Sequence, residues 1–329
     1  TQRWYGEAIM KVKIDDVAKL AGVSKTTVSR VLNSRGYLSE KAIKKVHSAM
    51  DELNYRPNVV ARQLFKQETK LVGLIFPTVN DPFYSQLIAG MEKRLFNNGF
   101  KVLIGDSMND PKKEELYLQQ LMAHQVDGLI VGAHNQGIPE YENSNLPIIA
   151  FDRIVNPDIP VISSDNYQGG KIATELLIEH DAKIIIHTNG PKSLESPTQE
   201  RRIAYQDVMK EHGLKPITYY IDFDDRAKKE TLFRNIFRDH PDVDGMFISN
   251  DMDASLVLNI ATELGYKIPE DLKIVGYDGT YITRTLLPRL TTIVQPIDKM
   301  AETAVNMLMA RINGDEIEGN KVFPVKLWR

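Results

Sequence analysis

The sequence predicts a small all-α head carrying a helix-turn-helix, followed by an α/β core of two parallel-sheet lobes. Three observations predict it: a helix–glycine–helix segment near the start, a change in the sign of charge after it, and strands alternating with amphipathic helices thereafter. The segment is IDDVAKLAGVSKTTVSRVLN, residues 14–33. Val17, Ala18 and Ala21 share one face at helical spacing, and Gly22 follows where a helix must stop and positive φ is wanted. Ser24 can cap a second helix in which Val28, Val31 and Leu32 face inward while Lys25, Thr26, Ser29 and Arg30 face out. A second helix so arranged enters the DNA major groove. An ordinary helical hairpin shares the pattern, so the segment does not stand alone.

The next stretch supports it. Residues 39–53, SEKAIKKVHSAMDEL, place Ile43, Val46, Ala49, Met50 and Leu53 on one face, with Ser39 as cap and Lys41, Lys44 and Lys45 outside. Residues 10–66 hold twelve Lys or Arg against five Asp or Glu, a formal +7, whereas residues 67–329 carry −10. The overall −3 therefore hides a basic head on an acidic body, which points to a polyanionic partner for the head. Pro57 ends the third helix, and Asn58 can cap a short helix, VVARQLF, too short to be stable alone. Leu64, apolar among basic and polar neighbours, suits a wedge between base steps in the minor groove; docking of the linker on the body is the plainer alternative.

From Leu71 the pattern changes. Strands are expected at 71–76, 101–106, 128–132, 147–152, 183–188, 245–250 and 272–278, with helical stretches such as FYSQLIAGMEKRLFNNG and QERRIAYQDVMKEHG between them. The set is too large for one mononucleotide-type sheet and fits two similar lobes. Polar residues recur after strand ends (Asp81, Asp106, Asp152, Asn189, Asn250 with Asp251, Asp278), the edge at which open α/β sheets bind ligands.

Composition excludes several classes. With no cysteine there is no disulfide, thiolate metal site or thiol nucleophile, which fits a reducing cytoplasm. No apolar run reaches the length that spans a bilayer, so no membrane partner is expected. The seven histidines are scattered without metal-ligand spacing, and no metal or cofactor is expected. Gly169-Gly170-Lys171 fails as a phosphate loop, because Asp165 stands where the first glycine belongs and Ile172 where Ser or Thr does. No nucleophile–base pair is visible, and the chain does not read as an enzyme.

Several long motifs, in this order, resemble the lac repressor (LacI/GalR) family of bacterial transcription regulators: IDDVAKLAGVSKTTVSRVLN, DELNYRPNVVARQL, SSDNYQGGKIATELL, and IVGYDGT with LPRLTTIVQP. The likeness runs from about Met10 to the C-terminus, and its texture is nearest the sucrose or fructose operon repressors within the family. It implies a periplasmic-binding-protein-like (type I) core of two lobes joined by three crossovers. The expected division is an extension at 1–9, the helix-turn-helix head at 10–57, a hinge helix and linker at 58–69, a first lobe at 70–165 with 296–325, and a second at 166–295.

Carried over by position, the resemblance assigns base reading to Lys25 and Thr26, with Arg30 further along, and backbone positioning to Ser24, Thr27, Ser29 and Asn33. Asn58, Ala61 and Leu64 complete the DNA-binding set, the last two entering the minor groove as a symmetric pair. Asp152, Arg201, Asn250 and Asp278 match effector-cleft positions, and Phe83 with Tyr84, and Phe223, match aromatics that cover a sugar ring. Each has a plainer reading: Asp152 and Asp278 as helix caps, Phe83 or Tyr84 as packing between lobes. Arg201 is favoured over Arg202 by its spacing to Ala204 and Tyr205, and Ile297 stands where some relatives carry an aromatic.

The resemblance implies a homodimeric repressor of operator DNA, controlled by a small-molecule effector, a sugar or sugar phosphate. With no leucine heptads beyond FPVKLWR, a dimer rather than a tetramer is expected. Two alternatives stand beside it: a carbon-control regulator whose partner is a phosphorylated carrier protein, and a sugar-binding module without operator binding.

Overall fold

Each helix of the head is bounded by chemistry written into its own residues. Helix α1 (Ile14–Ala21) starts where the Asp16 carboxylate accepts the Lys13 backbone N–H at 2.8 Å, and stops at Gly22, whose φ of 63° is left-handed. Helix α2 (Lys25–Leu32) is capped by Ser24, whose Oγ accepts the Thr27 N–H at 3.1 Å. Helix α3 (Glu40–Glu52) begins at Ser39, which accepts the Ala42 N–H at 3.3 Å. Val17, Val28 and Val46, one from each helix, are fully buried at the centre of this three-helix cluster, with Ala18, Ala21, Val31 and Ala49 around them. Each such valine contributes about 1.5–3 kcal/mol, enough to hold helices too short to persist alone.

The computed structural model describes residues 12–33, 36–56, 69–123, 126–133, 135, 137–141, 146–193, 196–222 and 225–329. The positions assigned to the hinge, Asn58, Ala61 and Leu64, and the cleft aromatic Phe223 lie outside the described residues. The chain divides into two units, Thr1–Glu68 and Thr69–Arg329.

The second unit holds two six-stranded sheets. The first contains β1 (Leu71–Phe76), β2 (Lys101–Asp106), β3 (Gly128–Val131), β4 (Ile148–Phe151), β5 (Val161–Ser164) and β11 (Lys321–Phe323), in the order β11-β5-β4-β3-β1-β2, all parallel. The second contains β6 (Ile185–Asn189), β7 (Ile217–Tyr220), β8 (Gly245–Phe247), β9 (Lys273–Asp278), β10 (Thr291–Val294) and β12 (Lys326–Trp328), in the order β12-β10-β9-β8-β6-β7, with only β12 antiparallel. The inner strands are buried on both faces and so read as unbroken apolar runs. Helices α4 (Pro82–Asn97), α5 (Pro111–Ala123) and α11 (Ile297–Asn313) cover the first sheet. Helices α6 (Asn166–Glu179), α7 (Glu200–Glu211), α8 (Arg226–Asp239) and α9 (Asp251–Glu263) cover the second, and α10 (Tyr281–Leu286) follows β9. The chain passes between lobes three times: after β5, after β10, and between β11 and β12. The last strand therefore returns to the second sheet.

The lobes repeat one device. Val126-Asp127-Gly128 and Val243-Asp244-Gly245 open corresponding strands. Asp127 accepts the Thr69 and Lys70 backbone N–H groups, each at 2.8 Å, and Asp244 accepts those of Lys183, at 2.9 Å, and Ile184, at 2.8 Å. Each carboxylate ties the start of the neighbouring strand to its own.

Candidate functional site

On α2 the outward face is Lys25, Thr26 and Arg30, all exposed, with Ser29 half-buried beside them. Lys25 Nζ lies 3.0 Å from Asp15, both side chains being more than half exposed at 60% and 59%. Such a surface pair is worth about 0–1 kcal/mol, so Lys25 gives it up at little cost. Ser24 and Thr27 join their hydroxyls at 2.9 Å in the cap, and Asn33 Nδ2 donates to the Ser29 carbonyl at 2.9 Å. These three side chains shape the two ends of α2, which suits residues that set register rather than read sequence.

In the second unit the strand carboxyl ends of the two lobes face one another. Asp152, after β4, has φ of +48° and is buried, its backbone carbonyl accepting from Ser196 Oγ of the other lobe at 2.5 Å. Burial pushes its carboxyl up to about 7, against the pull of Arg201 and Asn166. Its Oδ1 finds no hydrogen-bond partner among the described residues.

Arg201, on the first turn of α7, is held from three directions. Its Nε donates to Asn166 Oδ1 at 2.7 Å, its Nη1 to the Ser249 carbonyl at 2.9 Å, and its guanidinium lies 3.5 Å from the Tyr277 ring centre. Arg202 instead bonds Gln206 along its own helix, at 2.9 Å. The close approach of α6 to α7 depends on Gly170, where a Cβ would sit 2.5 Å from the Arg201 carbonyl oxygen and 2.9 Å from its Cα. Gly169 likewise leaves room for the Tyr277 hydroxyl, which a Cβ would meet at 2.4 Å. The glycine pair is thus a packing device that seats the arginine.

Asp278, after β9, has φ of +108°, a strained backbone for a residue with a Cβ. Its Oδ1 accepts from Gln295 Nε2 at 2.9 Å, and burial, then the charges of Asp251 and Asp81, push its carboxyl well above the usual range. Asp251 is raised to about 6, chiefly by burial, and both its oxygens accept, from Thr292 Oγ1 at 2.6 Å and the Gly279 N–H at 2.8 Å. Asn250 caps α9: its Oδ1 accepts the Asp253 N–H at 2.8 Å and its Nδ2 donates to the Asp253 carboxylate at 3.0 Å. Lys229 lies 3.0 Å from that carboxylate.

The two aromatics at the start of α4 part ways. Phe83 is 6% exposed and packs in the first-lobe core, 6.2 Å from Phe151. Tyr84, 5.3 Å from it, lies in the field of Asp81, Asp152, Asp278 and Arg201; burial first, and those carboxylates next, hold its hydroxyl protonated. Ile297 is buried in the first-lobe core. The structure brings Asp152, Arg201, Asp278 and Tyr84 into one electrostatic neighbourhood spanning both lobes.

Sequence reasoning missed Asn166, Tyr277 and Gln295, which hold Arg201 and Asp278 in place. Asp81 and Asp251 were visible as strand-end polar residues but not as part of the site; both act on the Asp278 carboxyl. All three lie in segments that carried the family resemblance, Asn166 in SSDNYQGG, Tyr277 in IVGYDGT and Gln295 in LPRLTTIVQP, but nothing local marked them as side chains of the site.

Residues 13–58 match the model for bacterial regulatory proteins of the lacI family, and residues 173–328 that of the periplasmic binding protein-like domain. The chain is 45% identical to the sucrose operon repressor of Streptococcus mutans over 97% of its own length and 98% of the relative's. Its fold superposes on the lac repressor dimer bound to operator and the anti-inducer ONPF with a TM-score of 0.85, at 28% identity over 97% of this chain and 98% of that one. A periplasmic binding protein/LacI transcriptional regulator from Alkaliphilus metalliredigens, complexed with D-xylulofuranose, matches with a TM-score of 0.73 at 31% identity, over 79% of this chain and 97% of that one.

Proposed function

This chain belongs to the lacI family of bacterial regulatory proteins, and on that premise we propose that it is a transcriptional repressor whose grip on operator DNA is set by a sugar bound between its lobes. The observation that carries the reading is the coupling of Asp152 on one lobe to Arg201 on the other. A ligand held by both fixes the lobes' relative position. Its hydroxyls donate to the carboxylates and accept from the guanidinium, the pairing that polyol recognition needs. Hydrogen bonds already cross between the lobes, among them Ser196 to Asp152 at 2.5 Å and the Tyr281 N–H to Gln86 at 2.9 Å. Occupancy selects one arrangement of the lobes, and differential affinity for the two arrangements becomes differential DNA binding.

In the head, Lys25 donates to guanine O6 or N7 and Thr26 meets a thymine methyl or a base edge, with Arg30 beside them. The working form is a homodimer on a near-palindromic operator. Leu103 and Ile104 are exposed on β2, an edge strand of the first sheet, and Tyr281, Ile282 and Leu286 are exposed on α10. An unpaired apolar edge of this kind is where a second copy packs. The site binds rather than turns over its ligand, and a repressor of chromosomal operators works in the cytoplasm. No helix among the described residues is long and apolar enough to cross a membrane.

The test is fluorescence anisotropy of the full-length protein on its own promoter DNA, with and without sucrose, fructose and ribose. One of these sugars should change the affinity by at least about fivefold. Failure to bind the promoter at moderate salt would leave a sugar-binding module. DNA binding that answers to a phosphorylated carrier protein and to no sugar would move the effector to a protein surface.

A further inference from the structure

Resting on the reading of the cleft as the effector site, we infer that it takes an uncharged polyhydroxylated ligand and rejects the phosphorylated form of the same sugar. Two separate observations point there. The first is charge. Asp81, Asp152, Asp251, Asp253 and Asp278 act on one another or on the same cations at the facing strand ends, and the cations coupled to them are Arg201 and Lys229. Neither offers the bidentate, uncommitted fork that a phosphate needs: Arg201 keeps only Nη2 for a ligand, enough for a hydroxyl, and Lys229 is paired. Arg201 is committed to Asn166, the Ser249 carbonyl and the Tyr277 ring, and Lys229 lies 3.0 Å from Asp253. Arg153, next in sequence to Asp152, is buried in a pair with Glu114 of α5 at 2.6 Å, and its guanidinium also donates to the Asn135 carbonyl.

The second observation is the polarity of the groups left wanting a partner. Of the residues placed at the cleft, Asp152 Oδ1 and Gln295 Oε1 are buried, in residues 5% and 3% exposed, and find no hydrogen-bond partner among the described residues; the unpaired donor nearby, Arg153 Nε, belongs to a guanidinium turned to Glu114 and Asn135. The two oxygens are acceptors, so what they need is a donor. A sugar hydroxyl is a donor; a phosphate dianion brings acceptor oxygens and two more negative charges. Burial already disfavours the ionised Asp152 and Asp278, and an anionic ligand would work in the same direction.

Calorimetric titration of the full-length protein near neutral pH with fructose and sucrose, each against its own phosphate monoester, tests this. The neutral sugar should bind and its monoester should be about tenfold weaker or worse. Equal or tighter binding of the monoester would overturn the inference while leaving the cleft as the effector site. Heat from neither class would overturn both. Compared at pH 8, above the value of about 7 to which the Asp152 carboxyl is raised, Asp152→Asn removes one charge at constant volume and should narrow the gap between the two ligands several-fold, with the thermal melt as the check on folding. A gap unchanged in a folded Asp152→Asn protein would refute charge as its cause.

Discussion

Replacing Arg201 by alanine separates seating from signalling. The substitution removes the donors to Asn166 Oδ1 and to the Ser249 carbonyl, and the cation over Tyr277. Hydrogen bonds from a charged group are worth about 1.5–3 kcal/mol each, and the ring contact adds up to about 2 kcal/mol when desolvated. Arginine also carries a desolvation cost that alanine lacks, so the net loss is about 3–5 kcal/mol for a buried arginine, 7% exposed as a residue. At roughly 2–4 °C per kcal/mol, the melting temperature should fall by about 6–20 °C. Arg202→Ala, which loses one bond along its own helix, should cost about 0–1 kcal/mol. Differential scanning calorimetry of both variants gives the comparison, and anisotropy on promoter DNA, with and without sugar, gives the function. Arg201→Ala should bind DNA nearly as tightly as the parent below its melt, and should no longer answer to sugar. Equal destabilisation by the two variants, or an unchanged sugar response in Arg201→Ala, would refute the reasoning.

Gly170→Ala should destabilise by about 1–3 kcal/mol or more and weaken sugar binding, since the new methyl meets backbone of α7 rather than a movable side chain; a denaturation midpoint equal to the parent's would show that the two helices can part freely. Lys25→Ala should relax base preference within each half-site at a cost of about 1–3 kcal/mol, read by anisotropy on single-base operator variants. Uniform weakening on all sequences would make Lys25 a phosphate contact. Sugar affinity should rise with pH and level off above about 7, because hydroxyls donate to the ionised Asp152, whose carboxyl is raised to about 7 in the free protein. The same shift has the opposite sign for the unliganded fold. A carboxyl raised from its ordinary 3.8 stabilises the protein when protonated, and that contribution drains away as pH climbs from about 4 to 7. Calorimetry in buffers of different ionisation enthalpy should register proton release on binding near neutral pH, and proton uptake would refute the assignment.

The head was legible because its signals are local. Ser24, Ser39 and Gly22 each act within four residues, so reading them needs no knowledge of the rest of the fold. Strands β1 and β2 were likewise found at 71–76 and 101–106, from the apolar clusters in LVGLIF and KVLIGD. Strands β5 (VISS), β7 (ITYY) and β10 (TTIV) were not, since four residues with hydroxyls carry too little pattern and their neighbours in the sheet specify them. Helix α8, RAKKETLFRNIFRD, hides its buried face, Phe233, Ile236 and Phe237, in a run of charge. At the cleft the same division holds. Asp152 and Asp278 follow strands and could be picked out as polar strand ends. Gln295 and Asn166 matter only through partners 17 and 35 residues away. The aromatic pair shows the limit of position alone: adjacent in sequence, Phe83 turns into the core and Tyr84 toward the carboxylates.

The doubled aspartate has a mechanical consequence. In the second lobe, Asp244 anchors a turn whose two ends both stay inside that lobe, at Lys183 and Ile184. In the first, Asp127 anchors Thr69 and Lys70, where the chain arriving from the head joins the body. The same rivet therefore does unequal work: in the first lobe it pins β3 directly to the first residues of the core, so a shift of β3 reaches residues 69 and 70 through two hydrogen bonds, while its twin only joins two strands of one lobe.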